Sequence, residues 1–387
     1  MRRKPVMARL SSLFLIFFLG LVSKSFGLSV SKHSSKLHAP FFIFGDSIFD
    51  AGNNNYISTT TLDQANFWPY GETYFKFPTG RFSDGRLISD FIGKICRSFC
   101  YVLLLLNMQN LPPIPPFLKP GYANFYHGVN FASGGAGALV ETYQGSVIPL
   151  NTQIRNFKKV VTWYRHKLVY YEAKMTLSRA VYMFSIGAND YISPFVTNSG
   201  VLKSYSAPDY VGMVLGNLTI TLKEIYKIGG RKFAFINLPP LGCLPAIRVI
   251  GNGSCFEEVS SLVKLHNQAL PKLLLKLDKQ LKGFKYSLYD FHSSLSQRIN
   301  HPSKYGFKEG KTACCGTGPY RGVYSCGGKR IVKEFELCDK PNAYVFWDSY
   351  HPTENANKKI AAQMWSRTKR SRSHTFGPYN LKELFQE

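Results

Sequence analysis

The chain has 387 residues and a formal charge of +25, from 48 lysines and arginines against 23 acidic residues; its length admits either two domains or one α/β domain with long loops. The basic excess favours polyanionic partners, but it is dispersed along a chain with an export leader. That argues against nucleic acid and leaves an acidic polysaccharide matrix, an anionic lipid or a merely solvated basic surface.

At the start of the chain, Arg2, Arg3, Lys4 and Arg9 precede an apolar run over residues 10–22, the layout of a secretory signal peptide ending at about residue 27. The run is too short for a stable transmembrane anchor, which needs roughly 20 residues. Removing this leader takes away basic residues only and leaves the expected mature chain at +20. Residues 28–40 read as an N-terminal extension.

From residue 41 onward, short apolar runs at 41–44, 128–132, 181–186, 232–237 and 285–289 alternate with longer amphipathic stretches. This is the pattern of βαβ units and a largely parallel sheet, whose ligands bind beyond the carboxyl ends of the strands. The first run exits through Gly45-Asp46-Ser47, which can present the serine hydroxyl at that edge, although such a turn is also an ordinary way to leave a strand. Between the first two runs, residues 94–110 carry Cys96, Cys100 and an eight-residue apolar stretch over 99–106. Of a buried helix, a substrate lid and translated intron, the foreign composition favours the last.

The second run exits through Ser133-Gly134-Gly135-Ala136-Gly137, where backbone N–H groups can face a cavity with no side chain in the way. The third exits through Gly187-Ala188-Asn189-Asp190, where Asn189 can offer its amide to a developing oxyanion or cap a turn. Apolar residues at helical spacing follow at Val211, Val214, Leu215, Leu218, Leu222 and Ile225, stopped by Gly229, and again at Leu262, Leu265, Ala269, Leu273, Leu277 and Leu281. Ala356, Ile360, Ala361, Met364 and Trp365 predict a last helix, with Pro352 suited to its first turn. The basic run over 367–372 reads as a solvated surface end.

Eight cysteines in an exported chain argue for disulfides. Cys243 and Cys255 bracket a short loop. Cys314, Cys315, Cys326 and Cys338 crowd a Gly-rich stretch without metal-type spacing, and the six cysteines allow 15 pairings. Asn217 and Asn252 stand in glycosylation acceptor triplets. Near the end, Asp348 precedes His351 by three residues, so its carboxylate can receive the imidazole Nδ1–H and leave Nε2 to take a proton from a serine.

Each strand-end signal is ordinary alone. Together they supply an attacking oxygen, a base, an orienting carboxylate and oxyanion donors, the parts that acyl transfer requires. The blocks FGDSIFDAGNNN (44–55), NFASGGAG (130–137), SIGANDY (185–191) and FWDSYHPTE (346–354) resemble the plant-type GDSL esterases/lipases of the SGNH hydrolase superfamily. PTGRFSDGR (78–86) and LPPLGCLP (238–245) are lesser matches. The resemblance implies one flavodoxin-like, doubly wound α/β domain over 41–387, with about five parallel strands and helices on both faces. It also implies Ser47 as nucleophile, Asp348 and His351 as the rest of a triad, and the Ser47 N–H, Gly134 and Asn189 as oxyanion donors, with Gly135 the alternative to Gly134. Where the family has leucine after the serine, this chain has Ile48, a volume-conserving exchange. Asp46 and Asp190 read as structural.

The expected function is therefore a secreted, extracellular serine esterase or lipase acting on lipid or acylated small-molecule esters. No metal or organic cofactor is required, and the oligomeric state is left open. Two other readings are an extracellular acyltransferase or polysaccharide deacetylase using the same triad, and a non-catalytic basic protein bound to acidic cell-wall polysaccharide.

Overall fold

The computed structural model describes residues 39–98, 113–365 and 375–386. The leader, most of the segment over 94–110 and the basic run over 367–372 lie outside the described residues; residues 94–98 end a helix.

Five parallel strands form the centre: β1 (Phe41–Gly45), β2 (Gly128–Asn130), β3 (Val181–Ser185), β4 (Lys232–Ile236) and β5 (Lys285–Tyr289). Their order is β5-β4-β3-β1-β2. Every residue of β1, β3 and β4 is buried, as a parallel sheet covered on both faces requires. Alternate side chains show the two layers. Phe42 meets Phe157 and Tyr164 of α2 (Leu150–Lys167) on one face. Phe41 meets Phe385 of the short helix Leu381–Gln386 on the other, near Gly93 of α1 (Ile88–Ser98). Two aromatic ladders cross the strands: Phe42–Tyr182–Phe233 at centroid spacings of 5.4 and 5.6 Å, and Phe44–Phe184–Phe235 at 5.0 and 5.5 Å. Cross-strand ring pairs of this kind pin the register.

The predicted stripe from Val211 to Ile225 is the buried face of α5 (Ala207–Ile228), which Gly229 ends at φ +129°. The stripe from Leu262 to Leu281 is corrected. As far as Leu277 it lies on α6 (Glu257–Gln280), with Leu281 just past the helix end; Leu262 and Leu277 are buried as expected, together with Val259, Val263, His266, Leu270 and Leu274, while Leu265, Ala269 and Leu273 are only partly buried. A leucine-rich helix offers two apolar stripes, and the Tyr191 hydroxyl 2.9 Å from His266 Nδ1 makes the one containing histidine burial-competent. Pro352 is likewise outside its predicted turn: Thr353 caps α8 (Glu354–Trp365) through an Ala356 N–H bond of 3.2 Å, with Pro352 ahead of it.

Elements not anticipated include α2, α3 (Tyr170–Arg179), α7 (Phe291–Asn300), the helices Ala188–Val196, Pro245–Ile250 and Leu381–Gln386, and four short strands. Among those strands, β7 (Cys315–Gly316) pairs with β8 (Glu336–Leu337), and β6 (Glu309–Ala313) with β9 (Tyr344–Phe346). A sixth sheet strand, β10 (Thr375–Phe376), adds antiparallel to β5. Three disulfides join Cys243 to Cys255, Cys314 to Cys338 and Cys315 to Cys326. Asn217 is exposed on α5 and Asn252 is exposed in a turn inside the first disulfide loop. Among the described residues no helix is long and apolar enough to cross a membrane.

Candidate active site

The strand order reverses at β1, which lies between β2 and β3, so a crevice opens beyond the carboxyl end of β1. Ser47 follows that end directly. Gly45 has φ +145°, and a Cβ there would stand 2.0 Å from the Ser185 carbonyl oxygen; only glycine lets β1 and β3 converge this closely. The turn is held from three sides. The Asp46 N–H donates to Ser185 O at 3.1 Å, and the Ile48 N–H donates to Asp46 Oδ1 at 3.1 Å. The Gln153 amide accepts from the Gly45 N–H at 2.9 Å and donates to the Gly45 carbonyl at 2.8 Å. Gln153 thus plays the part of a neighbouring strand.

A polar zipper ties this turn to the loop after β2. Asp50 Oδ1 accepts the N–H groups of Gly52 and Asn53, both at 2.7 Å, and its Oδ2 accepts the Gly134 N–H at 2.9 Å. Asn53 donates to the Asn130 and Ala132 carbonyls. Ser133 Oγ donates to Asn54 Oδ1 at 2.5 Å. The NNN triplet is therefore structural wiring.

His351 and Asp348 sit on the loop between β9 and α8. Asp348 Oδ1 accepts the backbone N–H groups of Tyr350 and His351 at 2.9 and 2.8 Å, and stands 2.7 Å from His351 Nδ1. Its Oδ2 accepts the Tyr70 hydroxyl at 2.7 Å. Burial alone would raise this carboxyl, but the facing His351, the Tyr350 N–H and the Tyr70 hydroxyl outweigh it and hold Asp348 below its ordinary value. An ionised carboxylate only accepts, so Nδ1 carries the imidazole proton and Nε2 is left as acceptor. Nε2 lies 2.7 Å from Ser47 Oγ, across 304 positions of sequence. The Phe82 ring packs over His351 at 4.9 Å.

The loop is braced from behind. Cys315 N–H donates to Trp347 O at 2.7 Å and Cys314 N–H to Phe346 O at 2.9 Å. The block over 78–86 fastens the start of α8: Ser83 Oγ donates to Pro352 O at 3.0 Å, Asp84 Oδ1 accepts the Glu354 N–H at 2.7 Å, and Arg86 pairs with Glu354 at 2.7 Å.

The expected oxyanion donors differ in availability. The Gly134 N–H donates to Asp50 Oδ2. Gly135 lines the cavity beside Ser47, and its N–H has no partner among the described residues. Asn189 follows Gly187, whose φ of +114° starts α4 (Ala188–Val196). Its Nδ2 donates to Ala136 O at 3.0 Å, which uses one amide hydrogen and leaves the other. Asp190 is fully buried and accepts from Ala138 N–H, Leu139 N–H and Thr142 Oγ1 at 2.9, 3.0 and 2.7 Å, fixing the glycine-rich loop to α4. Burial pushes Asp46 up to about 7, opposed by the Ile48 N–H and helped by nearby Asp190. Burial also takes Asp50 and Asp190 up to about 6 against their backbone hydrogen bonds.

Over Ser47 and His351 stands a cavity of about 630 Å³ whose walls include Leu62, Ile192, Val196, Leu241, Leu244 and Val323. Its lining is chiefly apolar. Sequence reading missed Tyr70, Gln153 and Arg330, which reach the site from distant positions with no spacing signal, and Asp50, which stands three residues after Ser47 inside the first matched block.

The family model for GDSL-like lipase/acylhydrolase matches residues 41–364. GDSL esterase/lipase 5 of Arabidopsis thaliana is 53% identical over 96% of this chain and 95% of its own length. GDSL esterase/lipases 1 and 2 of the same plant are 52% and 50% identical, each over 89% of both chains.

Proposed function

The chain belongs to the GDSL-like lipase/acylhydrolase family and is a carboxylic ester hydrolase, and from that premise we propose that it works through an acyl-enzyme on Ser47. His351 Nε2 takes the proton as Ser47 Oγ attacks the ester carbonyl carbon. The tetrahedral oxyanion is held by the N–H groups of Ser47 and Gly135 and the free amide hydrogen of Asn189. On collapse the C–O bond breaks, and His351 returns the proton to the departing alcohol. A water deprotonated by the same nitrogen then releases the acid. Asp348 stays ionised and holds the imidazolium in place. The observation that carries this reading is the 2.7 Å approach of His351 Nε2 to Ser47 Oγ.

The test is a fluorophosphonate probe together with a nitrophenyl ester. Ser47→Ala is expected to lose both labelling and turnover; a labelled, active Ser47→Ala protein would remove the serine from the mechanism.

The chiefly apolar lining, with Leu62, Ile192, Val196, Leu241 and Leu244 among its walls, supports an ester with a hydrophobic acyl or alcohol part. Three disulfides and the leader-like start support an extracellular setting. The basic excess supports retention on an acidic cell-wall polysaccharide.

A further inference from the structure

Behind Asp348 lies a buried polar chain that the acyl-enzyme steps do not use. We propose that Tyr70, clamped by Arg330, is a positioning residue for the triad: its hydroxyl fixes the Asp348 carboxylate that orients His351, and Arg330 ties that hydroxyl to the loop walling the cavity. The inference deepens the proposed triad and rests on it.

The Tyr70 hydroxyl donates to Asp348 Oδ2 at 2.7 Å and accepts from Arg330 Nη2 at 2.8 Å. Chemistry sets these directions: an ionised carboxylate only accepts and a guanidinium only donates, so the hydroxyl between them must do both. Asp348 Oδ1 is fully engaged by two backbone N–H groups and the imidazole. Oδ2 is held by Tyr70 and, at 2.9 Å, by the imidazole itself. Without the hydroxyl, only the ring that Asp348 is meant to orient would remain on that oxygen, and the carboxylate would be held against the ring from the Oδ1 side alone.

Tyr70 and Arg330 are each 1% exposed. The Tyr70 ring is fixed between Phe67, Phe82 and Trp347. The Arg330 guanidinium lies 3.7 Å from the Tyr324 ring centroid and donates to the carbonyls of Thr61, Leu62 and Gln64. Leu62, Asp63 and Tyr324 all line the cavity. A single buried cation thus holds the cavity wall and, through one hydroxyl, the carboxylate of the triad.

The experiment is a double-mutant cycle on the full mature protein, reading kcat and KM for a nitrophenyl ester and the rate of fluorophosphonate labelling. Tyr70→Phe keeps the ring and is expected to lower kcat and the labelling rate about 10- to 100-fold, the range for one hydrogen bond to a charged group, with KM unchanged. In an Asp348→Asn background the same substitution is expected to add nothing further. Arg330→Lys gives an independent second cycle if Tyr70→Phe fails to fold, and it too is expected to be silent on Asp348→Asn. Wild-type rates in Tyr70→Phe, beside an inactive Ser47→Ala and a slow Asp348→Asn, would overturn the positioning role alone. Losses that simply multiply in the double variants would overturn it as well, since a packing effect does not need Asp348. Full activity in Ser47→Ala or Asp348→Asn would sink the triad and this inference with it.

Discussion

Asp46 stands next to the nucleophile with Oδ1 bonded to the Ile48 N–H and Oδ2 buried without a partner among the described residues. Its carboxyl is raised to about 7, chiefly by burial, so the folded state binds a proton that the unfolded chain, at its ordinary value of 3.8, releases. A group raised in this way stabilises the fold below the unfolded value and loses that contribution as pH rises through the folded one. Asp46, with Asp50 and Asp190 at about 6, should therefore make the protein less stable as pH climbs from about 4 to about 7. His266 acts with the opposite sign. Burial lowers it from 6.5 to about 3, so its share is present above about 6.5 and fades as pH falls towards 3. Asp46→Asn keeps the acceptor for Ile48 and removes one titrating carboxyl. The difference between its urea midpoints at pH 5 and pH 8 is expected to be smaller than in the wild type, and an equal difference would show that Asp46 does not titrate on unfolding.

The loop from β9 to α8 has little regular structure of its own, and its rigidity is borrowed from the disulfide-linked β7 and β8. Cys314 and Cys315 are adjacent in sequence, yet each is tied to a different partner, and their N–H groups hold Phe346 O and Trp347 O just ahead of Asp348. Closing the short Cys315–Cys326 loop is worth about 3 kcal/mol of chain entropy. Replacing both cysteines by serine is expected to lower the melting temperature by several degrees and to slow labelling of Ser47. Unchanged labelling with a lowered melting temperature would mean that the strand pair supports the fold and not the site. The 78–86 block plays the matching part on the other side, capping α8 through Asp84 and Glu354 and laying Phe82 against the imidazole.

At the scale of the molecule, the parallel sheet brings Ser47 and His351 together from positions 304 apart. The reversal of strand order at β1 opens the crevice, and two aromatic ladders hold the strand ends that frame it. The charge is also a whole-molecule property. With the leader removed, a net +20 should retain the protein on a column of acidic polysaccharide at low salt and release it as ionic strength shortens the Debye length. Passage through the column at low salt would count against a matrix-binding role.

Local pattern alone determined the five parallel strands, the helix over Ala207–Ile228 and the strand-end positions of Ser47, Asn189, Asp348 and His351, because strand and helix periods are written in neighbouring residues. Tertiary structure decided what no local period encodes. It chose one of 15 cysteine pairings, turned His266, Leu270 and Leu274 of α6 inward while leaving Leu265 and Leu273 partly buried, and gave the Gly134 N–H to Asp50, with Gly135 at the cavity. It also brought Tyr70, Gln153 and Arg330 to the site. A buried polar group takes whichever partner the packed chain places within hydrogen-bond reach, and that distance is set by sheet order and loop closure.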